Sequence, residues 1–313
     1  VMLKYVLKRL GYILVTLWVI VTCTFFMMKN LPGTPFDAER FSIMTPQQQE
    51  RVLEMYGLND SLPMQYVKYI KNMLKGDLGT SFTYVNQDVS KVITGRLGPS
   101  ALIGIQAVLI GLAIGLILGI LAAWKHNSGI DYFTMILAVL GVSVPNFVAA
   151  ALLQYYIGLK WGALPVGFWT GWNCSVLPSI ALSFSATAMV ARFMRTEMLD
   201  VLDQDYIVTA RAKGLSQMKV LMRHAVRNSI LPVVTILGPI VVNLMTGSLA
   251  VENIFSIPGI GSLFVDCIKA NDYPVIMGIT IFYAAFYMLI VLLVDLAYSL
   301  IDPRIRLAKG KES

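Results

Sequence analysis

Residues 12–28 carry no charge, and five more runs of similar apolar character follow at about 101–124, 132–159, 177–195, 230–251 and 275–301. A helix needs about 20 apolar residues to cross the hydrocarbon core of a bilayer. In lipid every backbone N–H and C=O must be bonded within the protein, which leaves helices as the natural reading of such runs. The expected fold is therefore all-α, an integral membrane protein with six transmembrane helices. The balance of residues agrees: 57% are hydrophobic and 14% charged, against about 25% charged in soluble domains. The third run contains Pro145 and the fifth Pro232 and Pro239. Neighbouring helices can take up the carbonyls these prolines release, so each run is expected to stand as one span.

Lys4, Lys8 and Arg9 precede the first run in the manner of a signal peptide. The run is long for that purpose, and no small-x-small cleavage pattern follows it before residues 30–33, so it is read as a retained first helix.

Basic residues set the expected orientation. With the N-terminus in the cytoplasm, Lys4, Lys8, Arg9 and Lys125 lie inside, as do Arg192, Arg195, Arg211, Lys213, Lys219, Arg223 and Arg227 of the fourth-to-fifth loop. Arg304, Arg306, Lys309 and Lys311 of the tail join them, whereas the two later outer loops hold only Lys160 and Lys269. This bias places both termini in the cytoplasm. The net charge of +7 is accounted for by topology and calls for no nucleic acid.

The expected organisation is a cytoplasmic arm and first helix (1–29), an extracytoplasmic helical segment (30–98), a core of helices two to six (99–302) with a cytoplasmic loop at 196–229, and a cytoplasmic tail (303–313). In the outer segment, Thr45-Pro46-Gln47-Gln48 reads as a capping box with proline at the first helical position. Gly57 and Gly76 read as left-handed stops. A second outer helix over 63–75 places Tyr66, Ile70, Met73 and Leu74 near one face.

Gly111, Gly115 and Gly119 stand at four-residue spacing in the second span, a pattern that lets helix backbones approach closely in lipid. The partner is either a helix of the same chain or a second membrane subunit. Gln106, Gln154 and Asn243 are expected to hydrogen-bond between helices, and Asp295 to be paired near the cytoplasmic interface. Cys174 and Cys267 fall in outer loops, where a disulfide or two unpaired thiols are both open.

Chemistry of its own is not expected. His126 and His224 are far apart, there is no His-Glu-x-x-His pattern, and no metal site is read. The chain has no Gly-x-Ser-x-Gly elbow. It also lacks a phosphate-cradling Gly-x4-Gly-Lys-Ser/Thr loop, so any ATP hydrolysis belongs to another polypeptide.

The loop from Asp205 to Ser216, Asp-Tyr-Ile-Val-Thr-Ala-Arg-Ala-Lys-Gly-Leu-Ser, stands apart from the spans around it. Asp205 is expected as N-cap, Tyr206 and Ile207 begin a helix, and Ala210 and Ala212 keep it slim. Arg211 and Lys213 supply cations near its end and Gly214 stops it before Leu215. Such a helix suits a groove in a soluble partner; the alternative is an amphipathic helix lying on anionic membrane lipid.

These residues, with Val220–His224 and Arg227-Asn-Ser-Ile-Leu-Pro232, resemble the coupling-loop motif of bacterial ATP-binding-cassette import permeases. The likeness is to the oligopeptide, dipeptide and nickel branch, and to the first of its two permeases. Further stretches carry it: Leu3-Lys-Tyr-Val-Leu-Lys-Arg9, Gly76-Asp-Leu-Gly-Thr-Ser81, Val251-Glu-Asn-Ile-Phe-Ser-Ile-Pro-Gly-Ile-Gly261, Asp272-Tyr-Pro274 and Tyr298-Ser-Leu-Ile-Asp-Pro303. The chain departs from the general permease motif at Val208 and Thr209, which replace its Glu and first Ala, while Ala210 and Gly214 are kept.

The resemblance implies the type I importer permease fold. It also implies a second homologous permease, two cytoplasmic ATPases that bind ATP and magnesium, and an extracytoplasmic substrate-binding protein. The coupling helix would comprise Asp205, Tyr206, Ile207, Thr209, Ala210, Arg211, Ala212, Lys213, Gly214 and Leu215. Glu252, Asn253, Phe255, Pro258 and Gly259 are candidates for an outer gate, or for a structural loop. Transport of oligopeptides or dipeptides by alternating access is expected, with nickel or glutathione as alternative cargo. An ion-coupled secondary transporter would need intramembrane charge, for which Asp295 alone speaks.

Overall fold

A computed structural model describes residues 2–30, 41, 43–55, 57–84, 87–245 and 249–301. The tail 303–313, residues 31–33 and the Asp295 side chain lie outside the described residues. In chain order the α-helices are α1 (Met2–Lys29), α2 (Pro46–Met55), α3 (Leu62–Met73), α4 (Val89–Trp124), α5 (Gly129–Ser143) and α6 (Asn146–Leu153). They continue with α7 (Val176–Leu202), α8 (Asp205–Ala212), α9 (Gln217–Val220), α10 (Arg227–Met245), α11 (Leu249–Ile254), α12 (Ile260–Lys269) and α13 (Tyr273–Ile301). Among the described residues five stretches are long and apolar enough to cross a membrane, and counting the bent pair α5–α6 as one span gives six.

The chain divides into two compact units, residues 1–98 with 259–286 and residues 99–258 with 287–313. In the first, Val89, Ile93, Ile260, Leu263, Val275 and Ile279 form a buried core. Here α4 and α13 meet closely: a Cβ added to Gly278 would lie 2.5 Å from the Val89 side chain. Buried Asp272 accepts hydrogen bonds from the Ser81 hydroxyl (2.5 Å) and the Thr83 backbone N–H (3.0 Å). The Gly76–Ser81 and Asp272–Pro274 motifs thus belong to one structure. Phe25 packs against the rings of Tyr66 and Tyr69, at 5.4 and 5.7 Å, and the Thr22 hydroxyl bonds that of Tyr66 at 2.7 Å.

The capping box forms as expected. Thr45 N–H donates to Gln48 Oε1 (2.9 Å) and Gln48 N–H to Thr45 Oγ1 (3.4 Å). Gly57 and Gly76 adopt φ of 65° and 83° at the helix ends. Leu74, expected on the packed face of α3, is 78% exposed because it caps the helix after its last full turn.

In the second unit α7 is the most buried span, with Leu177, Leu182, Val190, Met194 and Met198 all inside. The α4 glycines resolve the question of their partner. A Cβ on Gly111 or Gly115 would come within 2.7 Å of Ala186 or Val190, and one on Gly119 within 2.6 Å of the Ala191 carbonyl. All three belong to α7, so the packing is within this chain. Ser179 donates to Gln106 (2.8 Å), and Gln154 donates to the Ile254 carbonyl (2.7 Å), so both polar residues link separate elements.

The third run is not straight. Val144 and Pro145 interrupt it, and α6 with its following π-helical turn (Gln154–Lys160) leaves α5 at 100°. Val144 is extended (φ −81°, ψ 117°), the conformation imposed on a residue before proline, and Pro145 then caps α6. By contrast α10 continues as one helix through Pro232 and Pro239.

Candidate coupling site

The segment after α7 turns at Gln204, whose backbone is extended (φ −78°, ψ 146°), and α8 begins at Asp205. The N-cap is therefore Gln204, which corrects the expected role of Asp205. The extended residue that breaks the chain direction comes one position earlier, and its side chain turns back to the Asp200 carbonyl (3.1 Å). Asp205 occupies the first helical turn, where a carboxylate still complements the helix dipole.

The far end closes as the sequence suggests. Gly214 has φ of 78°, its N–H donates to the Arg211 carbonyl (2.9 Å), and Leu215 N–H reaches back to Ala210 (3.4 Å). That pair of bonds is a Schellman closure, which glycine permits without steric strain.

The two faces of α8 differ sharply. Ile207 is fully buried and Ala210 is 6% exposed, and both join a core cluster with Val220, Leu221 and Ala225. Tyr206 and Val208 are 42% and 58% exposed, and Thr209, Arg211, Ala212 and Lys213 are exposed with them. The candidate residues thus separate into an inward anchor and an outward surface. The slimness at Ala210 serves packing inside this chain, since a larger side chain there meets the core.

Residues not assigned a role from sequence tie the helix down. The Asn228 amide donates to the Tyr206 hydroxyl at 3.0 Å. Ser229, fully buried, donates to the Ala225 carbonyl (2.9 Å) and the Glu197 carbonyl (3.3 Å). The start of α10 is thereby joined both to α8 and to the end of α7. Between α9 and α10 the chain takes a π-helical turn (Leu221–Val226), a wide turn often found at functional positions. The signal lay in Arg227-Asn-Ser, read for its likeness rather than for its hydrogen bonds.

The candidate gate segment, 252–259, is closely packed. Glu252 is fully buried and accepts from the Ser100 hydroxyl at 2.7 Å. Phe255 is 1% exposed and its carbonyl accepts from Phe168 N–H at 2.8 Å. Asn253 is exposed, Pro258 half-buried and Gly259 buried. The second unit also holds a groove of about 990 Å³ walled by Ile114, Leu137, Leu152, Phe184 and Ala188, with no charged side chain in its lining. Cys174 and Cys267 are free thiols, each buried.

Comparison with known proteins places this architecture. Residues 115–307 match the family of binding-protein-dependent transport system inner membrane components, and residues 2–97 match the N-terminal model of such membrane components. The chain belongs to this family. The permease is 46% identical to the dipeptide transport system permease DppB of Lactococcus lactis subsp. cremoris, over 98% of this chain and 100% of that one. It is 43% identical to DppB of Bacillus subtilis, covering 98% and 99% of the two chains. With the oligopeptide transport system permease OppB of Escherichia coli K12 it shares 38% identity over 97% and 100%.

Among solved structures the fold matches an amino acid ABC transporter with TM-score 0.51 and 20% identity, covering 69% of the permease and 94% of that chain. It also matches the inward-facing MetNI methionine ABC transporter with TM-score 0.54 and 14% identity, covering 67% and 96%. The permease accordingly has the ABC importer membrane fold and is a multi-pass membrane protein.

Proposed function

We propose that this permease carries oligopeptides or dipeptides across a bacterial cytoplasmic membrane, driven by ATP that two separate cytoplasmic ATPases bind with magnesium and hydrolyse. The observation that carries the mechanism is the division of α8 into a buried anchor, Ile207 and Ala210, and an outward surface of Tyr206, Val208, Thr209, Arg211, Ala212 and Lys213. An element that passes force needs both: one side gripped by the motor and one fixed to the part that moves. The names of the relatives support the peptide cargo.

In this reading an extracytoplasmic binding protein delivers the peptide to a path formed with a second, homologous permease. Both termini lie in the cytoplasm, in keeping with the basic residues of the loop around α8. Closure of the ATPases displaces α8. Asn228 and Ser229 hand that displacement to α10 and α7, which rock between inward and outward access. The segment 252–259 closes the outer end.

The test is cross-linking in the assembled complex from Thr209→Cys. Capture of an ATPase, in a complex whose peptide uptake requires ATP and survives collapse of the membrane potential, is expected. Capture of lipid alone, or uptake that follows the potential, would overturn the proposal.

A further inference from the structure

Asp131 lies in the first turn of α5 and is 2% exposed. Its Oδ1 accepts from Arg195 Nε at 2.6 Å and its Oδ2 from Arg195 Nη2 at 2.8 Å, a two-pronged pairing. Asn127 donates its backbone N–H to the same Oδ2 at 3.0 Å, and His126 Nδ1 stands 3.1 Å from it. His126 Nδ1 is also 3.2 Å from Arg195 Nη2. Asn127 holds φ of 57°, a left-handed conformation that asparagine tolerates better than most residues. The turn joining α4 to α5 is thus folded around one carboxylate.

Burying an ion pair brings little net stability compared with apolar residues of the same volume, whereas it fixes direction and register closely. The position of this pair gives that direction a use. Arg195 lies near the end of α7, only Asp203 and Gln204 separate α7 from α8, and Asp131 opens the helix that leads to the 100° bend. At its other end α5 touches α7 again: a Cβ on Gly141 would lie 3.0 Å from the Phe184 carbonyl. Between these points α5 turns Tyr132, Phe133 and Ile136 outward, each at least 57% exposed. On the opposite side Thr134 and Ala138 are buried, so α5 packs on α7 along its length, and the Asp131 fork adds a directional bond to that packing.

We propose that the Asp131–Arg195 fork, buttressed by His126, is the joint through which movement of α8 and α7 reaches the bent pair α5–α6, with Asp131 a positioning residue for coupled transport. The proposal rests on the reading of α8 as the site where the ATPases act. It gives the bend at Pro145 a driver: α5 turns with α7, and the walls of the apolar groove between them shift as α6 follows.

The experiment uses the complete complex in proteoliposomes and measures ATP hydrolysed per peptide imported. Arg195→Lys keeps the charge and removes the two-pronged geometry. The double variant Asp131→Leu with Arg195→Met keeps volume without charge, and it carries the test should Arg195→Lys fail to assemble. Both are expected to retain ATP hydrolysis while the ATP consumed per peptide rises about fivefold or more, within the range that coupling residues exert. A wild-type ratio in an assembled variant would overturn the joint while leaving the transport reading intact. A wild-type complex whose ATP hydrolysis does not respond to peptide and binding protein would instead defeat the transport reading, and the joint with it.

Discussion

Asn228 donates a side-chain hydrogen bond to the Tyr206 hydroxyl across 3.0 Å, joining the first turn of α8 to the first turn of α10. Residues 22 positions apart are thereby made to move together, and the loop between them closes on itself. The same loop keeps Ile207 and Ala210 inside and offers Val208 and Thr209 outside.

Substitutions on the two sides of α8 should accordingly fail in different ways. Ala210→Asp buries an unpaired carboxylate, a loss of several kcal/mol, and is expected to lower the yield of folded permease in detergent. Thr209→Trp should leave yield and thermal stability within about 0.5 kcal/mol of wild type, yet abolish co-purification of the ATPases. Equal stability losses from both substitutions would contradict the two-sided arrangement.

The glycine contacts between α4 and α7 predict overpacking. Gly119→Val places methyl groups against the Ala191 carbonyl, which an added Cβ alone would approach to 2.6 Å. Forcing extra carbons into packed space costs about 1–3 kcal/mol, which thermal unfolding in detergent would register as a lowered Tm. Gly98→Ala is the control, since its Cβ would meet nothing within 4 Å.

Asp272 predicts a local unfolding event. Asp272→Ala removes the carboxylate that accepts from the Ser81 hydroxyl and from the Phe82 and Thr83 N–H groups. Hydrogen bonds to a charged group are worth about 1.5–3 kcal/mol each, so the loop 77–84 should become sensitive to protease in otherwise folded permease. Ser81→Ala removes one donor to Asp272 and also the oxygen that accepts the Tyr84 N–H at 2.8 Å, so it should sensitise the same loop.

Cys267 predicts a dependence on pH. It is 1% exposed, and burial, with Asp272 and Asp266 adding to it, pushes its thiol up to about 12 from an ordinary 9.0. The folded protein therefore holds the proton more tightly than the unfolded chain does. The resulting stability is complete below about pH 9 and is lost as pH rises towards 12. Thermal stability should decline across that interval, less steeply in Cys267→Ala, and Cys267 should resist alkylation at pH 8 until the protein unfolds.

Much of the fold could be read from runs of residues with a single physical meaning. Apolar length gives the spans, Thr45 and Gln48 give the capping box, and Gly57, Gly76 and Gly214 give helix ends because a left-handed stop is local chemistry. Pro145 and Pro239 show where local chemistry is insufficient: both stand in apolar runs, yet only Pro145 breaks its helix. Arg195 was legible as a basic residue near the end of a span, but its partner Asp131 is 64 positions away. An acid in the first turn of a membrane helix was the available sign, and only folding says what it faces. Likewise the division of α8 into anchor and surface depends on where α9 and the π-helical turn come to rest.

The close seating of α4 on α7 has a consequence for assembly within the bilayer. The smallest residues of α4 at 111, 115 and 119 are already occupied by a neighbour from the same chain. What α4 turns outward instead is branched and bulky: Ile105, Leu109 and Ile117, between 45% and 60% exposed. A second subunit meeting α4 from that side would have to match a relief of knobs, and its backbone would be kept at arm's length.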